Sequence, residues 1–178
     1  MKIVIVGLGV IGGSFALALK QAGYDDVYGV DTNAETLEKA EKMGIIRKGC
    51  KEGKAFFPEA DLIILAIYPK LIRAFVEQNQ ALFKKGCIVT DTTGIKRPFI
   101  REITEALPEG VEFVFGHPMA GREKKGIDFA SAEVFKGANY LITPTERNKE
   151  QSLAVIESLV KQLGFKRVRR ITPELHDE

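Results

Sequence analysis

The sequence predicts an α/β fold, in which helices cover both faces of a doubly wound, mostly parallel sheet within a single domain. Short apolar runs alternate with amphipathic stretches along nearly the whole chain, which is the order expected of such a sheet. The apolar runs are continuous, as in parallel strands that are covered on both faces. A length of 178 residues, 45% of them hydrophobic, suits one domain with a buried core.

The chain opens with an apolar strand, residues 3–6, that runs directly into a glycine-rich turn and then a helix. The turn consists of Gly7, Leu8, Gly9, Val10, Ile11 and Gly12. Gly7 permits a tight turn, Gly9 leaves space for a pyrophosphate beside the backbone, and Gly12 lets the helix pack close to its strand. The pattern indicates a Rossmann-type dinucleotide site at the helix N-terminus; the alternative is a glycine turn in a domain that binds no nucleotide.

An acidic residue follows the second predicted strand, residues 27–30. Asp31 stands nineteen residues after Gly12, where a carboxylate binds the ribose hydroxyls of a dinucleotide. The carboxylate would repel a 2′-phosphate, and the neighbouring Thr32 and Asn33 supply no arginine to bind one. We therefore expect NAD rather than NADP, with Asp31 and Thr32 among the residues that bind it.

The later elements follow from the same patterns. A helix is expected over 34–43, a weak strand or short helix within 45–60, and a buried strand over 61–67. Proline then opens a helix over about 69–83. The remaining elements are a strand over 87–91, a helix over 97–106, strands over 112–116 and 139–143, a helix over 148–163 and a last strand over 165–171.

Charge and cysteine content exclude several classes of protein. The 26 basic and 24 acidic residues are well mixed, with a net charge of +2, so neither nucleic acid nor an anionic membrane is an expected partner. Cys50 and Cys87 match no metal-ligand spacing and read as free thiols in a reducing compartment, which predicts a cytoplasmic protein without a metal. The N-terminal apolar run is too short for a signal peptide or a membrane span.

Ligands of open α/β sheets lie at the carboxyl ends of the strands, where one histidine is placed. His117 follows the strand over 112–116 and is expected in a proline- and glycine-rich loop, whereas His176 lies in the terminal tail. Imidazole accepts a hydrogen bond or a proton near neutral pH, which suits chemistry at a hydroxyl group. The alternative is a histidine that only caps loop carbonyls.

Three motifs together carry a resemblance to a known family. They are Gly116-His117-Pro118-Met119-Ala120-Gly121-Arg122, Phe135-Lys136-Gly137-Ala138-Asn139-Tyr140, and the glycine turn with its continuation Gly13-Ser14. The chain resembles prephenate dehydrogenase of tyrosine biosynthesis over essentially its whole length. The motif around His117 is far more specific than the dinucleotide fingerprint.

The resemblance implies NAD-dependent oxidative decarboxylation of prephenate to 4-hydroxyphenylpyruvate. In that reaction ring C4 gives a hydride to the nicotinamide, the 4-hydroxyl becomes a carbonyl, and the ring carboxylate leaves as carbon dioxide. By its match to the family's histidine, His117 would hold and polarise the 4-hydroxyl, which requires a neutral imidazole. The protein would place the reacting carbons and exclude water.

The loop after the fifth strand departs from the family pattern. Gly94 stands where many members of the family carry a serine, and Thr92 or Thr93 is a candidate for the missing hydroxyl. The alternative role of both threonines is a hydrogen-bonded turn. Lys96 and Arg122 are candidates for binding the substrate carboxylates, although exposed loop charges often only interact with water.

Members of the family continue into a helical domain that forms a dimer and contributes an arginine for the substrate carboxylate. Residues 1–171 are expected to form the NAD-binding domain, and residues 172–178 resemble the lead-in to that helical domain, which this chain lacks. We expect the chain alone to bind NAD, to turn over prephenate poorly or not at all, and to expose apolar surface where the helical domain would dock.

Two other functions remain open. Arogenate dehydrogenase performs the same chemistry on the amino-acid analogue, and this sequence does not separate the two substrates. A non-catalytic NAD-sensing module is a candidate from a different class, against which the intact His117 motif argues. The change His117→Asn separates an enzyme, which should lose turnover and keep NAD affinity, from a sensor, which should be unaffected.

Overall fold

A central sheet organises the chain in the computed structural model, which describes residues 1–93, 97–120 and 126–176. Its strands are β1 (Ile3–Val6), β2 (Val27–Val30), β3 (Lys48–Cys50), β4 (Leu62–Leu65), β5 (Ile88–Asp91), β6 (Glu112–Pro118), β7 (Asn139–Thr143) and β8 (Arg167–Arg170). The helices are α1 (Val10–Gln21), α2 (Ala34–Lys42), α3 (Pro69–Asn79), α4 (Arg97–Ala106), α5 (Glu150–Gln162) and α6 (Pro173–His176).

The strands lie in the order β3-β2-β1-β4-β5-β6-β7-β8. All neighbouring pairs are parallel except β6 and β7, which are antiparallel. The chain therefore starts in the middle of the sheet and crosses over between β3 and β4, which is the topology of a Rossmann-type fold. The predicted doubly wound, mostly parallel α/β sheet is confirmed.

Both faces of the sheet are buried, and β1 shows why its residues are all apolar. Ile3 and Ile5 point into one core with α1 and α5, whereas Val4 and Val6 point into a second core with α3 and α4. Since successive side chains of a strand face opposite sides, a strand between two cores needs apolar residues throughout.

Helix ends follow local chemistry. The Asn33 side chain accepts hydrogen bonds from the N–H groups of Glu35 and Thr36, which caps the N-terminus of α2. Pro69 occupies the first turn of α3, where its missing N–H costs nothing.

The structure differs from the sequence-based expectations in two stretches. Residues 45–60 form the short edge strand β3 and two 3₁₀ turns rather than one element. The strand expected over 112–116 extends through Pro118, because β7 pairs with it antiparallel from Phe115 to Pro118. His117 therefore lies within strand β6 and not in an irregular loop, which corrects the expectation.

Candidate functional site

The turn between β1 and α1 requires glycine at two of its positions. Gly7 has φ +91°, and a Cβ placed on it would lie 2.4 Å from the carbonyl oxygen of Ala66. A Cβ on Gly12 would lie 1.7 Å from the carbonyl oxygen of Gly7. These two glycines are explained by the fold itself, since any side chain there would collide with backbone.

Gly9 is different, because a Cβ placed on it would meet no heavy atom within 4 Å. Packing within the described chain therefore gives no reason for glycine here, whereas the close approach of a diphosphate does. Helix α1 begins at the next residue, with no side-chain cap among the described residues and no acidic residue in its first turn. Its first N–H groups and its dipole therefore suit an anion.

Asp31 follows β2 at the same edge of the sheet and has two backbone partners. Its Oδ2 accepts a hydrogen bond from the N–H of Leu8 at 2.8 Å, and its Oδ1 accepts one from the N–H of Asn33 at 2.9 Å. The carboxylate thus fixes the glycine turn and the start of α2 relative to each other. A carboxylate oxygen can accept more than one hydrogen bond, so ribose hydroxyls could still donate to it.

A cavity of about 630 Å³ opens beside Asp31. It is lined by Asp31 and Thr32 and by a wall of apolar side chains from α3 and from the segments before and after it. The apolar wall comprises Ile67, Leu71, Phe75 and Leu82. The combination of an apolar slot and a carboxylate rim fits the adenosine half of a dinucleotide.

The other predicted cofactor residues have distinct places. Leu8 and Val10 are buried in the protein, Ile11 is half-buried on α1, and Thr32 is exposed at the cavity rim. The turn thus presents its backbone, and not its apolar side chains, to the edge where the strands end.

The sequence did not predict the apolar wall of the cavity or two lysines that also line the cavity. Lys51 and Lys54 come from the segment after β3, which the pattern left undefined. Leu71 and Phe75 lie on α3, where their helical spacing indicated only an amphipathic helix. No local signal marks these residues, because the cavity joins segments that are 13 or more positions apart in the chain.

The end of β5 carries a buried polar cluster around Asp91. Asp91 is fully buried; its Oδ1 accepts a hydrogen bond from the N–H of Gly116 at 3.0 Å, and its Oδ2 accepts from the Thr93 hydroxyl. Thr93 is itself buried, whereas Thr92 is half-buried. Thr93 therefore makes the hydrogen bond of a turn, which is the alternative role given above for both threonines.

His117 is half-buried and next to last in β6, where it pairs with Leu141 of β7. Its neighbour Gly116 is packed under Tyr140, whose hydroxyl would lie 2.2 Å from a Cβ at position 116. Burial first, and then the nearby Asp91 carboxylate, raise the pKa of Tyr140 well above its ordinary value. The phenol of Tyr140 therefore stays neutral. Strand pairing, and the packing of Tyr140 on Gly116, hold the backbone that carries the His117 imidazole.

Two predicted substrate residues, Lys96 and Arg122, lie outside the described residues, as does Gly94. Within the described ranges, no group of three histidine, cysteine or acidic side chains is arranged to hold a metal ion. None of the helices in these ranges combines the length and the apolar character needed to cross a membrane.

A segment after the His117 strand packs back on α1. The N–H of Ser131 donates to the Ser14 hydroxyl at 3.0 Å, and that hydroxyl donates to the carbonyl of Val10. Gly13 faces the same segment, since a Cβ there would lie 2.8 Å from the Cβ of Ala130. The residues Gly13-Ser14 that extend the glycine turn therefore join the cofactor helix to the chain that follows His117.

Comparison with known proteins gives a consistent family. The family model described as the nucleotide-binding domain of prephenate dehydrogenase matches residues 15–169. The chain is 30% identical over 177 residues to prephenate dehydrogenase of Bacillus subtilis, which covers 98% of this chain and 47% of that protein. It thus spans about half the length of that relative.

Solved structures of the same family superpose closely. Prephenate dehydrogenase from A. aeolicus, in complex with hydroxyphenyl propionate and NAD⁺, matches with a TM-score of 0.91 and 30% identity over 99% of this chain and 62% of that chain. Synechocystis arogenate dehydrogenase matches with a TM-score of 0.92 and 32% identity over 99% of this chain and 62% of that chain.

Proposed function

We propose that this chain, which belongs to the prephenate dehydrogenase family, is the NAD-binding half of an enzyme that converts prephenate to 4-hydroxyphenylpyruvate by oxidative decarboxylation. The observation that supports the proposal is the set of groups at the edge of the sheet where the parallel strands end. That edge combines a glycine whose side-chain position is open, a carboxylate beside an apolar cavity, and a strand-held histidine.

The proposed cofactor residues are those of the glycine turn, Asp31 and Thr32. The α1 N-terminus would bind the diphosphate, Asp31 would accept the ribose hydroxyls, and the cavity beside Asp31 would take the adenine. When bound, NAD supplies the acceptor for the hydride that the substrate loses. The A. aeolicus relative, solved in complex with NAD⁺, supports this assignment.

We assign the substrate hydroxyl to His117. A neutral imidazole can accept the hydroxyl proton as the carbonyl forms, which is general-base chemistry. Strand pairing to Leu141 fixes the backbone at His117, so the ring has little backbone freedom to lose when the substrate binds. A fixed base of this kind is what proton transfer in a defined geometry requires.

Of the two threonines, we propose Thr92 as the one that contacts the substrate, because Thr93 is buried and its hydroxyl donates to Asp91. Lys96 and Arg122 remain our candidates for binding substrate carboxylates, on the ground of charge and sequence position.

We further propose that full activity needs a helical domain beyond these residues, which would form a homodimer and complete the substrate site. The share of the Bacillus subtilis relative that this chain spans, 47%, supports the idea. The well-mixed charge favours a small-molecule substrate over nucleic acid, and two free cysteines suit the reducing cytoplasm.

Arogenate is the second candidate substrate. The similarity to Synechocystis arogenate dehydrogenase, at 32% identity, favours it specifically. The two substrates differ in the side chain and share the ring chemistry that we assign to His117.

The direct experiment measures NADH formation from prephenate and from arogenate. We expect the chain alone to bind NAD with little or no turnover. With the helical domain of a relative added, turnover of either substrate should appear, and His117→Asn should abolish it while NAD affinity stays the same. His176→Asn is the matched control, since it removes the other histidine of the chain. Unchanged turnover in His117→Asn would overturn the catalytic assignment, and NAD binding without turnover of either substrate, even with the helical domain added, would favour a sensing module.

If NAD binds but neither substrate reacts, the helical domain of a relative should be supplied as a separate chain. Recovery of turnover would support the two-domain proposal.

A further inference from the structure

The buried carboxylate of Asp91 connects the Thr92–Thr93 segment to the end of strand β6, the two places that carry described candidate substrate residues. Its Oδ2 accepts a hydrogen bond from the hydroxyl of Thr93 and another from the Thr93 N–H at 3.3 Å. Its Oδ1 accepts the N–H of Gly116 at 3.0 Å. One side chain thus ties the chain after β5 to the residue that immediately precedes His117.

The bond to Gly116 stands where the backbone ladder ends. Strands β5 and β6 pair in parallel only as far as Thr90 and Val114, and from Phe115 onward β6 pairs with β7 instead. The Asp91 carboxylate therefore continues the connection between β5 and β6 beyond their last backbone pair. It supports the end of β6 from the β5 side, while β7 pairs with β6 on the other side.

Burying a carboxylate at this position costs free energy. Asp91 has no exposed surface, and a charged group is rarely buried for fold stability alone. An acidic group with two oxygens can accept hydrogen bonds from both segments at once, whereas an amide replaces one acceptor by a donor. The geometry thus suits a role in holding the Thr92–Thr93 segment and the end of β6 in one arrangement.

We propose that Asp91 is a positioning residue of the candidate site, which holds His117 and the Thr92–Thr93 loop in the arrangement that the reaction needs. The proposal rests on the function proposed above. Asp91 would act through its hydrogen bonds to Thr93 and to the N–H of Gly116.

Asp91→Asn keeps an acceptor for Gly116 but places an amide donor opposite the Thr93 N–H. With the helical domain of a relative added, we expect kcat for prephenate to fall by at least about tenfold, because small misplacements of reacting groups cost rate, while the Kd for NAD stays within a factor of about two. Thr93→Val should lower kcat in the same way, and Thr93→Ser should recover most of that loss. The double variant should lose little more than either single variant.

Asp61→Asn is the matched control. Asp61 also accepts a hydrogen bond from a backbone N–H, that of Lys2. It lies just before β4, at the end of the strands opposite to the candidate site. Should Asp91→Asn and Thr93→Val both keep the wild-type kcat, the positioning role is overturned while prephenate oxidation stands. Thr93→Val also covers the case in which Asp91→Asn does not fold.

A spectroscopic experiment tests the same proposal without measuring turnover of the substrate. The chain has two histidines, so NMR spectra of His176→Asn identify the ring signals of His117. Asp91→Asn and Thr93→Val should shift those signals, and Asp61→Asn should leave them in place. Unmoved His117 signals in both site variants would overturn the proposal, even if the chain proves inactive on prephenate.

Discussion

At the residue scale, the three glycines of the turn serve different purposes. Gly7 and Gly12 are required by contacts with backbone atoms of the protein, whereas the side-chain position of Gly9 is open. A glycine that the fold does not need is the strongest sign of a ligand that approaches the backbone.

The pair Gly9→Ala and Gly7→Ala tests this difference. Gly9 has φ −79°, so Gly9→Ala should change the free energy of unfolding by less than about 0.5 kcal/mol and weaken NAD binding at least about tenfold. Gly7→Ala forces alanine to φ +91° against Ala66 and should cost about 1–3 kcal/mol or more. Urea unfolding and calorimetry measure both effects. Wild-type NAD affinity in a folded Gly9→Ala would refute the assignment of Gly9.

Asp61 provides a prediction for the dependence of stability on pH. A hydrogen bond from Lys84 and a second from the Lys2 N–H lower the pKa of Asp61 below its ordinary value. Its ionised form therefore stabilises the fold above the ordinary pKa, and this contribution is lost as the pH falls through the lower, folded-state pKa.

We expect Asp61→Asn to cost at most about 1 kcal/mol at pH 7, because the side chain is 42% exposed and solvent screens the ion pair. The difference from wild type should shrink as the pH falls through the acidic range. Urea midpoints at several pH values measure it, with the exposed Glu109→Gln as control. A difference that stays constant from pH 7 to acid would show that the charge of Asp61 contributes nothing.

At the scale of elements, the described chain places its candidate site where three connections meet. The turn into α1, the Thr92–Thr93 segment and the end of β6 lie at the carboxyl ends of β1, β5 and β6, and β4 lies between β1 and β5. The segment around Ser131 then returns to α1, so the cofactor helix and the chain after His117 form one packed unit. The site is therefore held by contacts between elements as well as by its own loops.

Ser14→Ala should weaken this unit. The change removes the hydroxyl that accepts the Ser131 N–H and leaves that donor without its protein partner, which should cost about 1–2 kcal/mol. Ser158→Ala, on the exposed side of α5, is the control and should have little effect. Hydrogen exchange of the Ser131 amide should also become faster in Ser14→Ala. Unchanged stability together with unchanged exchange would show that the contact does not hold the segment.

At the scale of the whole molecule, the sequence predicted the sheet correctly and marked the glycine turn and Asp31 as candidate cofactor residues. The strand, the glycine turn and Asp31 lie within the first 31 residues, so a local pattern was enough to propose them. The rest of the cavity lining could not be predicted from the sequence, because residues such as Lys51 and Leu71 come together only in the folded chain.

The second half of the site shows the same limit. The motif around His117 marked it as a candidate, but its place in a strand depends on antiparallel pairing with β7, which no local pattern specifies. Asp91 appeared in the sequence only as the last residue of a strand. Its hydrogen bond to Gly116 joins residues 25 positions apart, so the proposed positioning role could not be predicted from the sequence.

The assignment of this edge of the sheet to NAD is tested most directly by a calorimetric titration of the chain with NAD and with NADP. We expect one NAD to bind per chain and NADP to bind at least about tenfold more weakly, because the Asp31 carboxylate repels a 2′-phosphate. Absence of NAD binding, or tighter binding of NADP than of NAD, would contradict it.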